Sequence, residues 1–136
     1  RNLVSPNVGL GSSFPWHVSA LGQAIVAFLP KAERERLVDG VTFVRYASRT
    51  IMDRNALLKR LESAREQGLI VAQDETFEGD VSIAAPVFDA SSGVVAVNIT
   101  SPRKTPDEVE VLRSMVRQLA ASISSDQTQR RAVFDE

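Results

Sequence analysis

Two stretches of alternating side chains constrain this chain more than any other feature: DVSIAAPVF (80–88) and VVAVNIT (94–100), separated by the turn-forming run DASSG. Successive side chains of a strand point to opposite sides, and two such runs joined by a short Gly-containing connection form an antiparallel hairpin. Val95, Val97 and Ile99 then share one apolar face, and Ala96, Asn98 and Thr100 the other. In the first strand the same rule separates Val81, Ile83, Ala85 and Val87 from Asp80, Ser82, Ala84 and Pro86, so Ser82, Asn98 and Thr100 converge on one side. Small side chains leave room there, while hydroxyls and an amide supply directional hydrogen bonds, which is how ligand pockets fix orientation. The same pattern also describes the solvent-facing half of an ordinary two-layer domain. Alternation alone shows no ligand.

Four helical stretches and about four strands surround this hairpin. SSFPWHVSALGQAIVAFLP (12–30) reads as an amphipathic helix with Pro15 in its first turn, where a missing N–H costs nothing, and with Val18, Leu21, Ile25 and Phe28 as its apolar stripe. Residues 31–38 form a short charged helix ending at Asp39-Gly40, where glycine is expected in the left-handed cap conformation. VTFVRY (41–46) reads as extended chain. Asp53 caps a third helix whose Leu57, Leu61 and Ala64 share a face and whose C-cap is Gly68, and the strand LIVAQ follows directly. Thr105-Pro106-Asp107-Glu108 is a capping box that opens a last helix with Val109, Leu112, Val116, Leu119 and Ile123 on one stripe. Beyond Ser124 the polar run has no such period and is expected to fray or to dock on a partner.

With 136 residues the chain suits one core rather than two, and the expectation is a single domain, 1–136, ordered over 3–124 and ending in a polar tail. Sixteen basic against 17 acidic residues leave a formal charge of −1, so there is no basic footprint for nucleic acid or for an anionic membrane. The absence of cysteine excludes disulfides, thiolate metal sites and cysteine nucleophiles. The longest apolar run, Ala24–Leu29, is far short of the roughly 20 residues that span a bilayer. A soluble, cytoplasmic protein without membrane contact is the expectation. Arg1 is not an initiator methionine, and the chain reads as a piece of something longer.

FPWHVSALGQAIVAFLP is similar to the P-x-H-x-x-A-x-G-x-A-x-L-A-F-L segment of the effector-binding domain of IclR-family transcription regulators. RTIMDRNALLKRLESAREQGLIVAQDETFEGDVSIAAPVFDASSGVVAVNITSP resembles that domain's T-I-x-D…R-x-x-G…E…G-v-x-x-I-A-A-P-V-x-D…S-G-P run in the same order, so the match covers nearly all of 15–123. The resemblance implies an α/β (α+β) domain of the GAF-like kind: a twisted, mainly antiparallel sheet flanked by helices, missing its first strands here. It also implies a small-molecule effector, an organic acid or aromatic catabolite, bound in a homodimer or homotetramer. DNA would be read only by a winged helix-turn-helix domain that this sequence does not contain. No cofactor and no metal are implied.

Carried over position by position, the resemblance places Leu3, Pro6, Ala20, Leu21, Gly22, Ala72, Asp80, Ser82, Asn98 and Thr100 around the effector. Small residues at a helix start let backbone N–H groups approach an anion. The sequence departs from the family pattern in Gln23, which replaces a basic residue, in Asn98 and Thr100, which stand where serines are frequent, and in Ser101-Pro102, which lacks the intervening glycine. Asp80 would repel a bound carboxylate unless it points away, or the ligand is neutral or offers a hydrogen-bond donor.

The remaining candidates have simpler explanations. His17 is the only histidine; no triad can be assembled around it, so packing or capping is its expected role. Asp74, Glu75, Glu78 and Asp80 lack the spacing and central glycine of a calcium loop. Arg60, Arg65, Arg113 and Arg117 read as solvating charges on polar helix faces. A small hydrolase using Asp80 or Glu75 as a base, or a dimerisation module with a vestigial cleft, are the competing classes. The hydrolase needs a second converging polar group with a perturbed pKa, and the sequence shows none.

Overall fold

The computed structural model describes residues 14–88 and 93–135, with side chains as far as Ser124. Residues 89–92, where the sequence places the hairpin connection, lie outside the described residues, as do Leu3 and Pro6. A 3₁₀ turn, Trp16–Val18, leads into α1 (Ala20–Ala27) and α2 (Lys31–Asp39), followed by α3 (Arg54–Gln67), β1 (Ile70–Gln73), β2 (Asp80–Phe88), β3 (Val94–Pro102) and α4 (Pro106–Asp135). The three strands form one antiparallel sheet in the order β1-β2-β3. In its register Ala72 faces Ser82, Ser82 faces Thr100, and Ala84 faces Asn98. The hairpin read from the sequence is therefore present with its expected sidedness.

The two faces of the sheet are built differently. Val81, Ile83, Ala85 and Val87 pack with Val97 and Ile99 against Val116 and Ala120 of α4. On the other face Ala72, Ala84 and Ala96 meet Ala20, Ala24 and Ala27 of α1, with Leu57, Leu61 and Ala64 of α3 behind them. Alanine thus meets alanine between α1 and the sheet, whereas larger aliphatics fill the layer between the sheet and α4.

Caps account for most element boundaries. Ala56 N donates to Asp53 Oδ1 at the start of α3 (2.9 Å), and Gly68 closes it at φ +77°, the left-handed conformation that glycine adopts without penalty. At α4, Thr105 N donates to Glu108 Oε1 (2.9 Å) while Glu108 N donates to Thr105 Oγ1 (3.2 Å), the reciprocal box expected there.

The structure departs from these expectations at several elements. Pro15 opens only the 3₁₀ turn; the α-helix begins after Ser19, whose side chain accepts from Gly22 N. That restart shifts the phase, so Ala20, Gln23, Ala24 and Ala27 form the buried face and Leu21 is 37% exposed. Gly40 ends α2 at φ −86°, not in the left-handed region, with its N–H bonded back to Arg36 and Leu37 carbonyls. Residues 41–46 make no strand pairing among the described residues. In α4 Leu119 leaves the buried stripe for Ala120, and the backbone stays helical past Ser124 to Asp135. No proline or glycine interrupts 107–135, so nothing in the chain stops the helix there.

Candidate functional site

The position of α1 follows from what holds its two ends. At its start, Thr76 Oγ1 donates to the Val18 carbonyl (2.5 Å), and at its far end Phe28 meets Phe88 edge to face, with ring centroids 5.5 Å apart. The helix therefore runs alongside β2 in the same direction, and its first turn sits over the Asp80–Ser82 end of that strand. Ala20 and Ala72 are buried on this face. Ser82 is half-buried, and Asn98 and Thr100 are exposed. The Ser82 and Thr100 hydroxyls are 2.9 Å apart, and Asn98 Nδ2 donates to Thr100 Oγ1 (3.2 Å). Ala72, Ser82 and Thr100 thus form one row across the three strands, with Asn98 beside it. Asp80 opens β2 on the same side as Ser82, opposite Pro102 in register. Leu21 stands outward from the helix start, whereas Gly22 is pressed against Trp16 and contributes closeness of packing rather than an open approach to a ligand.

Sequence reasoning missed a set of charged residues that fixes this end of the molecule. Arg60 of α3 donates from Nη1 to Glu75 Oε1 (2.9 Å) and to Gln23 Oε1 (3.0 Å), and from Nη2 to Glu75 Oε2 (2.6 Å). Gln23 is fully buried, and its Nε2 donates to the His17 carbonyl (2.7 Å). Arg60 is thus an internal partner, not a solvating charge. Arg65 donates to the Ala27 carbonyl and Arg117 to the Gln67 carbonyl, so these too serve the backbone. In the β1–β2 connection Asp74 takes φ +56°, and its carboxylate accepts from Gly79 N (2.7 Å) and from Arg103 Nη2 (2.6 Å). The Arg103 hydrogen bond, with that of Gly79, holds the Asp74 carboxyl below its ordinary value. Glu78 accepts from Ser48 N and Ser48 Oγ. Three of the four acidic residues of this loop are therefore committed to protein partners, and among the described residues no group of potential ligands converges on a metal position.

His17 is buried edge-on between the rings of Trp16 and Phe43. Its Nε2 has no hydrogen-bond partner, and burial lowers its pKa. The packing role is the one observed. It carries a pH dependence whose sign is fixed. The unfolded chain binds a proton at the ordinary imidazole value of 6.5 while the folded chain binds it only at a lower pH, so stability falls as pH drops below 6.5. A second loss follows at lower pH, as Asp74 is protonated in the unfolded chain first. Thermal melts between pH 8 and 3 should be flat down to about pH 6.5 and then decline. His17→Phe should remove the upper part of the decline and leave the lower; a wild-type curve that is level from pH 7 to 5 would contradict this account.

An open groove of about 260 Å³ lies elsewhere, lined by Phe28, Ala85, Phe88, Arg117 and Ala120. It is apolar and brings no set of polar groups together, so the hydroxyl row under α1 remains the better candidate. No described helix is long and apolar enough to cross a membrane.

Comparison with known proteins accords with this fold. The family described as "Bacterial transcriptional regulator IclR C-terminal" matches residues 2–125. The transcriptional repressor AllR of Salmonella paratyphi A is 36% identical over 128 residues, which are 92% of this chain and 47% of AllR. The chain thus spans about half the length of the curated relatives it matches. A transcriptional regulator from Rhodococcus sp. RHA1 superposes with a TM-score of 0.81 at 28% identity, covering 93% of this chain and 53% of that one. An IclR homologue from Microbacterium hydrocarbonoxydans, solved with 4-hydroxybenzoate, has the same fold (TM-score 0.81, 23% identity, 93% of this chain and 51% of that one). The matched relatives are named as regulators and repressors, not as enzymes. With an antiparallel sheet flanked by helices, a family model that matches residues 2–125 and a relative 36% identical over 92% of this chain, the chain belongs to the IclR family of bacterial transcriptional regulators, as its C-terminal, effector-binding domain.

Proposed function

We propose that this domain binds a small metabolite, an organic acid or an aromatic catabolite, between the first turn of α1 and the Ser82–Thr100–Asn98 row. Occupancy would alter DNA binding by a winged helix-turn-helix domain elsewhere in the full protein. The observation that carries the reading is the cross-strand row itself, with two hydroxyls 2.9 Å apart and an amide beside them, accessible to solvent on the sheet face against which α1 packs. Hydroxyls serve as donor or acceptor as the ligand requires. The dipole of α1 favours a ligand carboxylate near its first turn, although Gly22 N and Gln23 N are themselves bonded to Ser19. Asp80 at the start of β2 favours a ligand that is neutral on that side or offers a hydroxyl donor. The 4-hydroxybenzoate bound by the Microbacterium homologue is a molecule of this kind.

The mechanism is a population shift: a ligand with unequal affinity for two arrangements of the subunits of a dimer or tetramer favours one of them, and so changes the spacing of the DNA-reading domains. Calorimetric titration with hydroxybenzoates and 2-oxo acids should give saturable heat with the wild type. Ser82→Leu should weaken binding at least tenfold, about 1.4 kcal/mol. Equal affinities for both proteins would remove the site from this face.

A further inference from the structure

The charged network at the start of α1 reaches both walls of the site proposed above. Arg60 grips Glu75, which follows β1, through a two-pronged contact at 2.9 and 2.6 Å, and with the same Nη1 it holds the Gln23 amide at 3.0 Å. Gln23 passes the restraint on to the His17 carbonyl, two residues before the cap of α1. From the other side, the Glu75 carbonyl accepts from Thr50 Oγ1 (2.7 Å), and the next residue, Thr76, holds Val18. One guanidinium thus joins the helix start to the loop that leads into Asp80 and Ser82. Neither partner has water to fall back on: Gln23 is fully buried and the Glu75 side chain is 8% exposed. Without Arg60 a buried carboxylate and a buried amide oxygen lose their donor together, and they regain one only if the helix start or the loop moves.

We propose that Arg60 is the positioning residue of the effector site, setting the distance between the first turn of α1 and the Asp80–Ser82 end of β2. The proposal rests on the effector-binding reading. The second half of α1 does not depend on this contact, because Ala24 and Ala27 are held by packing on the sheet and on α3. The consequence of losing Arg60 is therefore local to the site walls.

Amide hydrogen exchange and ligand titration on the full chain separate positioning from general stability. Gly22 N is bonded to Ser19 Oγ and Gln23 N to the Ser19 carbonyl, so both report on the first turn of α1; Val116 in α4 reports on the global fold. In Arg60→Met, exchange at Gly22 and Gln23 should rise at least tenfold relative to Val116. Arg60→Lys should restore part of the protection, since an ammonium supplies charge without the two-pronged fork. Leu61→Val, a core change on the same helix, should lower the melting temperature without altering that ratio. Affinity for 4-hydroxybenzoate or pyruvate, whichever the wild type binds, should fall at least tenfold in Arg60→Met and not in Leu61→Val. An unchanged exchange ratio in Arg60→Met overturns the role given to Arg60 and leaves the site reading standing. A wild type that binds neither probe counts against the site reading, while the exchange ratio still decides whether Arg60 sets the two walls.

Discussion

Gly22→Ala is expected to lower the melting temperature of this domain by roughly 10 °C. A Cβ at this position would stand 2.5 Å from the Trp16 carbonyl oxygen, 2.7 Å from Trp16 Cα and 2.9 Å from Trp16 Cβ. Those are backbone or backbone-proximal atoms, so no rotamer change relieves the contact; the 3₁₀ turn or the start of α1 has to move. Overpacking of this kind costs about 1–3 kcal/mol, and the rigidity of the obstacle puts the cost at or above the upper end. Against it stands the gain of about 1 kcal/mol that alanine brings over glycine inside a helix. The clash wins. Gly40→Ala is the internal comparison: its Cβ would meet nothing closer than 3.7 Å, and φ is −86°. That substitution should be neutral or slightly stabilising. Scanning calorimetry of the two variants decides the matter, and a Gly22→Ala protein that melts at or above wild type would mean that Trp16 does not lie where described.

The same contact explains one limit of reading the sequence. Val18, Leu21, Ile25 and Phe28 have helical spacing, yet of the four only Val18, which precedes α1, is fully buried and Leu21 is exposed, because the helix restarts at Ser19. A serine before an apolar run is a cap signal, but the proline four residues earlier gave a competing start, and periodicity cannot choose between the two. The hairpin was legible in full because its information is local and repeated: each residue of β2 and β3 states its face, and Ser82, Asn98 and Thr100 lie on the side that the alternation assigns. The caps at Asp53, Gly68 and Thr105 were legible for the same reason, since a cap is a contact between residues three or four apart. Arg60 was not. Its partners lie 37 residues before it and 15 after it, and a guanidinium on an amphipathic helix gives no sign of whether it meets water or a buried carboxylate. Asp74 was unreadable in another way: φ of +56° is rare outside glycine, and here it is held by Gly79 and Arg103, five and 29 residues on.

Ile83→Ala should cost about 3 kcal/mol and about 10 °C in melting temperature, and it should leave ligand affinity intact. Ile83 is fully buried in the middle of the central strand, on the face packed by α4. Truncation removes three carbons from a layer built of large aliphatics. Its same-face neighbours Val81 and Ala85 on β2 and its register partners Val71 on β1 and Ile99 on β3 are fixed in regular strands and cannot close the gap. Ser82, the adjacent residue, points the other way, so a residue that dominates stability and one proposed to hold the ligand are separated by a single peptide bond. The division follows from the sheet: large aliphatics pack between the sheet and α4, whereas alanines pack between the sheet and α1 on the face that carries the Ser82–Thr100–Asn98 row. Chemical denaturation read beside calorimetric titration at 15 °C tests this. A large fall in affinity for Ile83→Ala while the chain remains folded would show that the two faces are not independent, and the site would then have to be sought on the α4 side of the sheet.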